Sequence, residues 1–355
     1  MINNLASDSL TYVIPTHNRP EFLGRVLCFF NEAKLRWPII VADSSGSDQA
    51  ARSSSACSEI KSTLNVTYAH FDMPFMEKCC DVLSRVKTKY VVFCADDDFQ
   101  LPAVVDECAA FLDRNSDFSV AQGRVVHASN SRSQNSRVYE CSLMEAFDIE
   151  QECAAERLLK MASNPYSTFY GVQRTASLTE QFETTRIHTD YQAGRVFTES
   201  LLIGLSAIFG KIKILPKVQY IQQTHGTNDS VVLSRIQDRS RKNELYQQYR
   251  TALINKVMAK TSFAEERAAA IVDDSMNLVP GHNKKKRSVF GLRHRIAREV
   301  TRIWVRYSRL RERMAGADAA SSGKVIIQNA DLIPDEGQYS IVRRMLVEYP
   351  RGFTS

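Results

Sequence analysis

The feature that most constrains this 355-residue chain lies in its first 125 residues, where short apolar runs alternate with helix-period segments. Leu10–Ile14, Pro38–Ala42, Asn65–His70 and Tyr90–Ala95 each read as a strand of four to six residues. Segments with helical spacing follow at Pro20–Lys34, Phe75–Val86 and Pro102–Leu112. Continuous apolar strands separated by helices mean βαβ units and a mainly parallel sheet buried on both faces. In such a sheet ligands bind beyond the carboxyl ends of the strands. Three polar clusters fall there: Pro15-Thr16-His17-Asn18-Arg19, Asp43-Ser44-Ser45-Gly46 and Asp96-Asp97-Asp98.

The acidic triplet needs a cation. Asp96 and Asp98, alternating in an extended or turn segment, are expected on one side, with Asp97 pointing away. Two neighbouring carboxylates suit a hard divalent ion, Mg²⁺ or Mn²⁺, which completes its shell with water and phosphate oxygens. Asp43 can accept from a ribose or base, and Thr16 and Arg19 can meet a base or phosphate. Each tip also has a plain structural role: Asp43-Ser-Ser-Gly46 is a good turn, Arg19-Pro20 a helix entry, and Asp98 a helix cap.

Beyond residue 118 the pattern is mixed. Phe118–His127, Ser167–Gln173, Ile212–Leu215 and Val218–Gln223 read as strands, and Phe197–Phe209 as a helix. Leu233–Met276 is helical and charged, Leu278–Ser288 is a linker with four consecutive cations, and Gly316–Gly323 is small and flexible. Phe290–Met314 is an amphipathic helix whose stripe (Ile296, Val300, Ile303, Trp304, Tyr307, Leu310) is interleaved with arginines. Residues 284–313 hold twelve Lys or Arg against Glu299 and Glu312, a local charge of +10 in a chain of +6, which leaves −4 elsewhere. That segment suits an anionic membrane surface or a helix packed on the domain with a solvated basic face. No recognition fold accompanies the charge, so nucleic acid is not an expected partner.

The eight cysteines form no CxxC pair, so a structural zinc site is not expected. They read as reduced packing residues, the vicinal pair Cys79-Cys80 included. Met1–Ser9 is polar and unlike a secretory signal, and no run reaches the ~18 apolar residues needed to span a bilayer. The expected location is cytoplasmic, either free or peripheral on the inner face of the membrane. A homo-oligomer is compatible with the sequence.

Thr11-Tyr-Val-Ile-Pro-Thr-His-Asn-Arg-Pro20, Ile40-Val-Ala-Asp-Ser-Ser45 and Tyr90-Val-Val-Phe-Cys-Ala-Asp-Asp-Asp-Phe99 together resemble the family 2-like glycosyltransferases of GT-A fold. The match is close over about 10–125 and looser over about 195–228. The resemblance implies an α/β GT-A fold, a single Rossmann-like, mainly parallel sheet flanked by helices, with a helical C-terminal extension. It implies a catalytic domain at 1–232, divided into a nucleotide-sugar-binding half (10–125) and an acceptor half (126–232). A helical extension (233–278), a basic linker (279–289) and a basic helix with tail (290–355) would follow.

The resemblance further implies transfer of a sugar, of hexosyl type, from a nucleotide-diphosphate sugar, UDP-linked by preference, to a hydroxyl of a glycan or lipid-linked acceptor. The setting would be surface polysaccharide synthesis. The transfer would be inverting and assisted by Mn²⁺ or Mg²⁺. Pro15, Thr16, Arg19, Asp43, Lys78, Asp96 and Asp97 would bind the donor, with Asp96, Asp98 and His225 as metal ligands. Glu199 stands where the family places its general base, with Thr198 beside it in place of the usual second acid, and Asp190 is the alternative. Two other functions stay open. A sugar-phosphate nucleotidyltransferase shares the fold but carries a glycine-rich loop after the first strand, which this chain lacks. A non-catalytic, membrane-associated scaffold on a decayed transferase domain is the other.

Overall fold

The computed structural model describes residues 9–130, 138–188, 191–224, 239–278 and 326–348. The first 114 residues follow the sequence pattern closely from residue 9 on. They run β1 (Leu10–Thr16), α1 (Pro20–Glu32), β2 (Ile39–Asp43), α2 (Ser47–Ile60), β3 (Val66–His70), α3 (Phe75–Arg85), β4 (Tyr90–Phe93), β5 (Phe99–Gln100) and α4 (Pro102–Arg114). The helix α2 has no apolar stripe of its own, burying only Ser53 and Cys57, which explains why periodicity did not reveal it. The rest comprises β6 (Phe118–Asn130), β7 (Val138–Leu143), α5 (Ala154–Ser163), β8 (Val172–Arg174), α6 (Thr175–His188), α7 (Tyr191–Phe209) and β9 (Lys211–Thr224). Last come α8 (Arg239–Lys260), α9 (Glu265–Leu278), β10 (Ile326–Gln328) and α10 (Gly337–Glu348).

One ten-stranded sheet carries these elements in the order β10-β7-β6-β8-β4-β1-β2-β3, with β9 along the other edge of β6 and β5 paired to β9. Strands β4, β1, β2 and β3 are parallel. The sheet becomes mixed where β8 runs antiparallel between β4 and β6. The expected strand Ser167–Gln173 shrinks to β8, because most of that segment forms the wall of a cavity instead. The two expected strands at 212–223 are one bent strand, β9, with register shifts along β6.

Both sheet faces are dry. Along β1, Tyr12 and Ile14 enter the core shared with α1, α4 and α10, while Val13 enters the core shared with α3 and α6. This two-residue alternation is what a buried strand requires. A separate cluster joins α5, α7, α8 and α9, so 239–278 packs on the acceptor half. Residues 326–348 return to the sheet: β10 pairs with β7 and α10 adds Val342, Met345 and Leu346 to the α1 side. The basic linker and the amphipathic helix at 290–314 lie outside the described residues. Among the described residues no helix is long and apolar enough to cross a membrane.

Candidate active site

The register aligns the carboxyl ends of the parallel strands: Thr16 stands beside Asp43, and Asp43 beside His70. The three polar tips therefore meet. Asn18 turns the chain after β1 at φ 55°, a left-handed conformation that asparagine tolerates better than most residues. That turn lets the Asn18 amide donate to Ser45 Oγ at 2.6 Å and its Oδ1 accept from the Gly46 amide at 3.0 Å. Asp43 is fully buried. Its Oδ1 accepts from the Ser45 amide at 2.8 Å and from the Ser45 hydroxyl, and its Oδ2 from Tyr68 OH at 3.0 Å. It stands behind the tip of β2, below a cavity that it does not itself line.

The acidic triplet is divided, and not as alternation predicted. Asp96 and Asp97 turn the same way, toward Arg19, whose Nη1 lies 3.0 Å from Asp97 Oδ2 and 3.5 Å from Asp96 Oδ1. Thr16 Oγ1 donates to Asp96 Oδ2 at 2.6 Å. Asp98 turns toward β9, where Tyr220 OH donates to one oxygen at 2.5 Å and the Gln223 amide to the other at 2.7 Å. The expectation of Asp96 and Asp98 on one side with Asp97 opposite fails because Arg19 draws Asp96 and Asp97 together while Tyr220 and the Gln223 amide hold Asp98. Burial, then the Asp97 charge, pushes the Asp96 carboxyl up to about 7. The same causes push Asp98 up, against the donors Tyr220 and Gln223 that favour its charged form.

Two buried cations frame the triplet. Arg25 is 4 % exposed. Its guanidinium donates to the Asp97 carbonyl at 2.5 Å and to Gln223 Oε1 at 2.6 Å, and lies over the Phe99 ring at 4.8 Å. Lys78 is 2 % exposed, with its Nζ 2.9 Å from both the Thr16 carbonyl and Ser44 Oγ. Burial pulls the pKa of both cations down.

A cavity of about 440 Å³ opens over these groups. Pro15, Thr16, Arg19, Lys78, Asp96, Asp97, Asp98 and Glu199 all line it. Glu199, exposed on α7, lines the same space as the acidic triplet. One expected base, Glu199, the expected donor-binding residues other than Asp43 and two of the three expected metal ligands thus border one void. Asp190 and His225 lie outside the described residues.

Sequence reasoning missed Arg25, Tyr220 and Gln223, and the whole far wall of the cavity, Gln122, Tyr166–Tyr170, Gln173 and Gln181. Arg25 had a signal. It sits three residues after Phe22 and four before Phe29, on the apolar stripe of α1, where a cation needs a buried partner. The wall residues had none, since they come from β6, β8, α6 and an irregular loop.

The all-oxygen donor set and its crowded negative charge fit a hard divalent cation. Among the described residues, however, no cluster of three or more His, Cys, Asp or Glu is arranged to hold a metal. Protein ligands would then be one or two carboxylates, Asp96 with Asp98 or with Asp97.

Comparison with known proteins agrees with the geometry. Residues 11–176 match the model of a family described as "Glycosyl transferase family 2". A search of curated proteins finds no match. Among solved structures, S. aureus TarS superposes with a TM-score of 0.52 at 15 % identity over 79 % of this chain and 44 % of TarS. The chain thus spans under half the length of that protein. TarS 1–349 in complex with UDP-GlcNAc superposes at 0.51 and 14 % identity, covering 76 % of this chain and 72 % of that one. At this identity the likeness establishes the fold, which is GT-A.

Proposed function

We propose, from the match of residues 11–176 to the model described as "Glycosyl transferase family 2", that the chain transfers a sugar from a nucleotide-diphosphate donor to an acceptor hydroxyl. The observation that carries this reading is the convergence of the β1 tip, the acidic triplet after β4, Lys78 and Glu199 on one cavity. The domain division follows it: a catalytic domain at 1–232 with donor (10–125) and acceptor (126–232) halves, then 233–278, 279–289 and 290–355 as appendages.

In this reading the β1 and β2 tips hold the nucleoside, and Asp43, buried beneath the β2 tip, takes part by fixing Ser45 and Tyr68. Lys78, buried beneath Thr16, supplies a fixed positive field under the diphosphate. Arg19 leaves the carboxylates for the phosphates when the donor enters. Asp96, with Asp98 or Asp97, holds Mg²⁺ or Mn²⁺, which when bound neutralises the departing diphosphate. Glu199 takes the proton of the acceptor hydroxyl. The oxygen then bonds to the anomeric carbon as the carbon–oxygen bond to the diphosphate breaks, and nucleoside diphosphate leaves. Attack opposite the leaving group inverts the anomeric centre.

UDP is the favoured nucleotide, as in the donor of the TarS complex. A hexosyl group, a glycan or lipid-linked acceptor, and attachment of 284–313 to an anionic membrane complete the reading.

Calorimetric titration of UDP, GDP and CMP, with and without Mn²⁺, tests it on wild type and Asp96→Asn. Metal-dependent binding of one nucleotide, weakened at least tenfold in the variant, is the expected result. Absence of binding by all three would move the weight to the non-catalytic scaffold.

A further inference from the structure

The three carboxylates after β4 are not equally free to meet a ligand. Asp96 and Asp97 already share one cation, Arg19, whose side chain is partly exposed. Asp98 is 2 % exposed, and each of its oxygens accepts a short bond from β9. Tyr220 OH donates to one at 2.5 Å and the Gln223 amide to the other at 2.7 Å. Both donor residues are themselves only 1 % exposed.

These bonds belong to a closed ring. Arg25 Nη2 donates to the Asp97 carbonyl at 2.5 Å and its Nη1 to Gln223 Oε1 at 2.6 Å, while the Gln223 amide returns to Asp98. The ring ties α1, the turn at 95–98 and the carboxyl end of β9 to one another. The Tyr220 hydroxyl closes that turn a second time, because it also accepts from the Ala95 amide at 3.3 Å. Gln223 Nε2 reaches on to Tyr139 OH at 2.9 Å, and the Tyr220 ring stacks on Tyr170 at 4.1 Å. Directly after Asp98, Phe99 and Gln100 pair with Ile221 and Tyr220.

To swing toward a cation held by Asp96, Asp98 would have to give up two bonds to buried donors, and bonds of that kind are costly to lose. Granting the transferase reading above, we propose that Asp98 is a positioning residue and not a ligand of the cation. It clamps the carboxyl end of β9 to the acidic turn, so that the turn presents Asp96 and Asp97 to the donor.

The test titrates the nucleotide that wild type binds, UDP, GDP or CMP, with and without Mn²⁺. The variants are Asp98→Asn, Asp98→Ala, Asp97→Asn and Tyr220→Phe, with thermal melts of each. An amide keeps the shape of Asp98 and still accepts from the Gln223 amide, but it is a poor ligand for a hard cation. Asp98→Asn is therefore expected to keep the Mn²⁺-dependent gain in affinity within about threefold of wild type. Asp98→Ala should weaken nucleotide binding about tenfold, and Asp97→Asn should lose about tenfold or more of the gain. Tyr220→Phe leaves all three carboxylates in place; it should weaken binding about threefold and keep the gain. Loss of the gain in a folded Asp98→Asn would overturn the proposal, because a clamp does not need the charge. So would an Asp98→Ala or Tyr220→Phe that melts lower yet binds as wild type does, the mark of a merely structural residue. If Asp98→Ala does not fold, the Asp98→Asn and Tyr220→Phe arms decide. Failure of wild type to bind any of the three nucleotides would instead bring down the transferase reading, and this inference with it.

Discussion

The acidic end of the cavity and its glutamine wall are built by opposite means. The acidic end comes from short runs that directly follow strands, so residues adjacent in sequence stay adjacent in space: Thr16 to Arg19, Asp43 to Ser45, Asp96 to Asp98. It concentrates charge, and Asp96, Asp98, Arg25 and Lys78 all have pKa values displaced by burial. The glutamines of the wall come instead from three separate elements, Gln122 from β6, Gln173 from β8 and Gln181 from α6, and lie buried beneath its surface. Strained electrostatics serves a ligand whose charge changes as a bond breaks.

The most severe break should come at neither of these but at residue 199. Glu199→Gln removes the carboxylate proposed as the base while keeping the shape of the side chain. It should lower kcat by roughly 10²–10⁴-fold with little change in donor KM, read by release of nucleoside diphosphate with acceptor present. Equal loss in KM and kcat would mean that Glu199 binds rather than catalyses. Asp96→Asn attacks the acidic end. A drop of roughly 10²–10³-fold in kcat/KM is expected, with loss of any response to Mn²⁺, measured in the same assay across metal concentrations.

Such assignments show what was legible in the sequence. Strand-tip residues could be read because a parallel strand sends whatever follows it to one sheet edge. Lys78 could be named as a donor ligand, although its burial beneath Thr16 could not be seen. The orientation of the triplet was misjudged, because nothing in Asp96-Asp97-Asp98 says that Tyr220 and the Gln223 amide, over 120 residues away, capture Asp98. The glutamine wall was unreadable for the same reason. One buried glutamine looks like any polar strand residue until its neighbours from other elements are known. Strand β10 and helix α10 were missed because they join the sheet through long-range pairing with β7 and packing on α1.

Smaller perturbations sharpen the contrast through stability. Arg25→Met strips the Asp97 carbonyl and Gln223 of a buried cation and leaves the triplet less compensated. It should cost about 3 kcal/mol or more, measured by urea unfolding. Tyr220→Phe removes one donor from buried Asp98. A loss of about 1–3 kcal/mol is expected, with the Mn²⁺-dependent gain in nucleotide binding unchanged. Loss of that gain in Tyr220→Phe would show that the clamp on Asp98 and the cation pair do not work separately.

The proposed transfer is tested most directly by a crystal structure with the intact sugar nucleotide bound to Glu199→Gln. The account predicts the diphosphate against Asp96 and above Lys78, with the anomeric carbon of the sugar turned toward residue 199. A diphosphate away from Asp96 and Lys78, or an anomeric carbon turned away from residue 199, would contradict it.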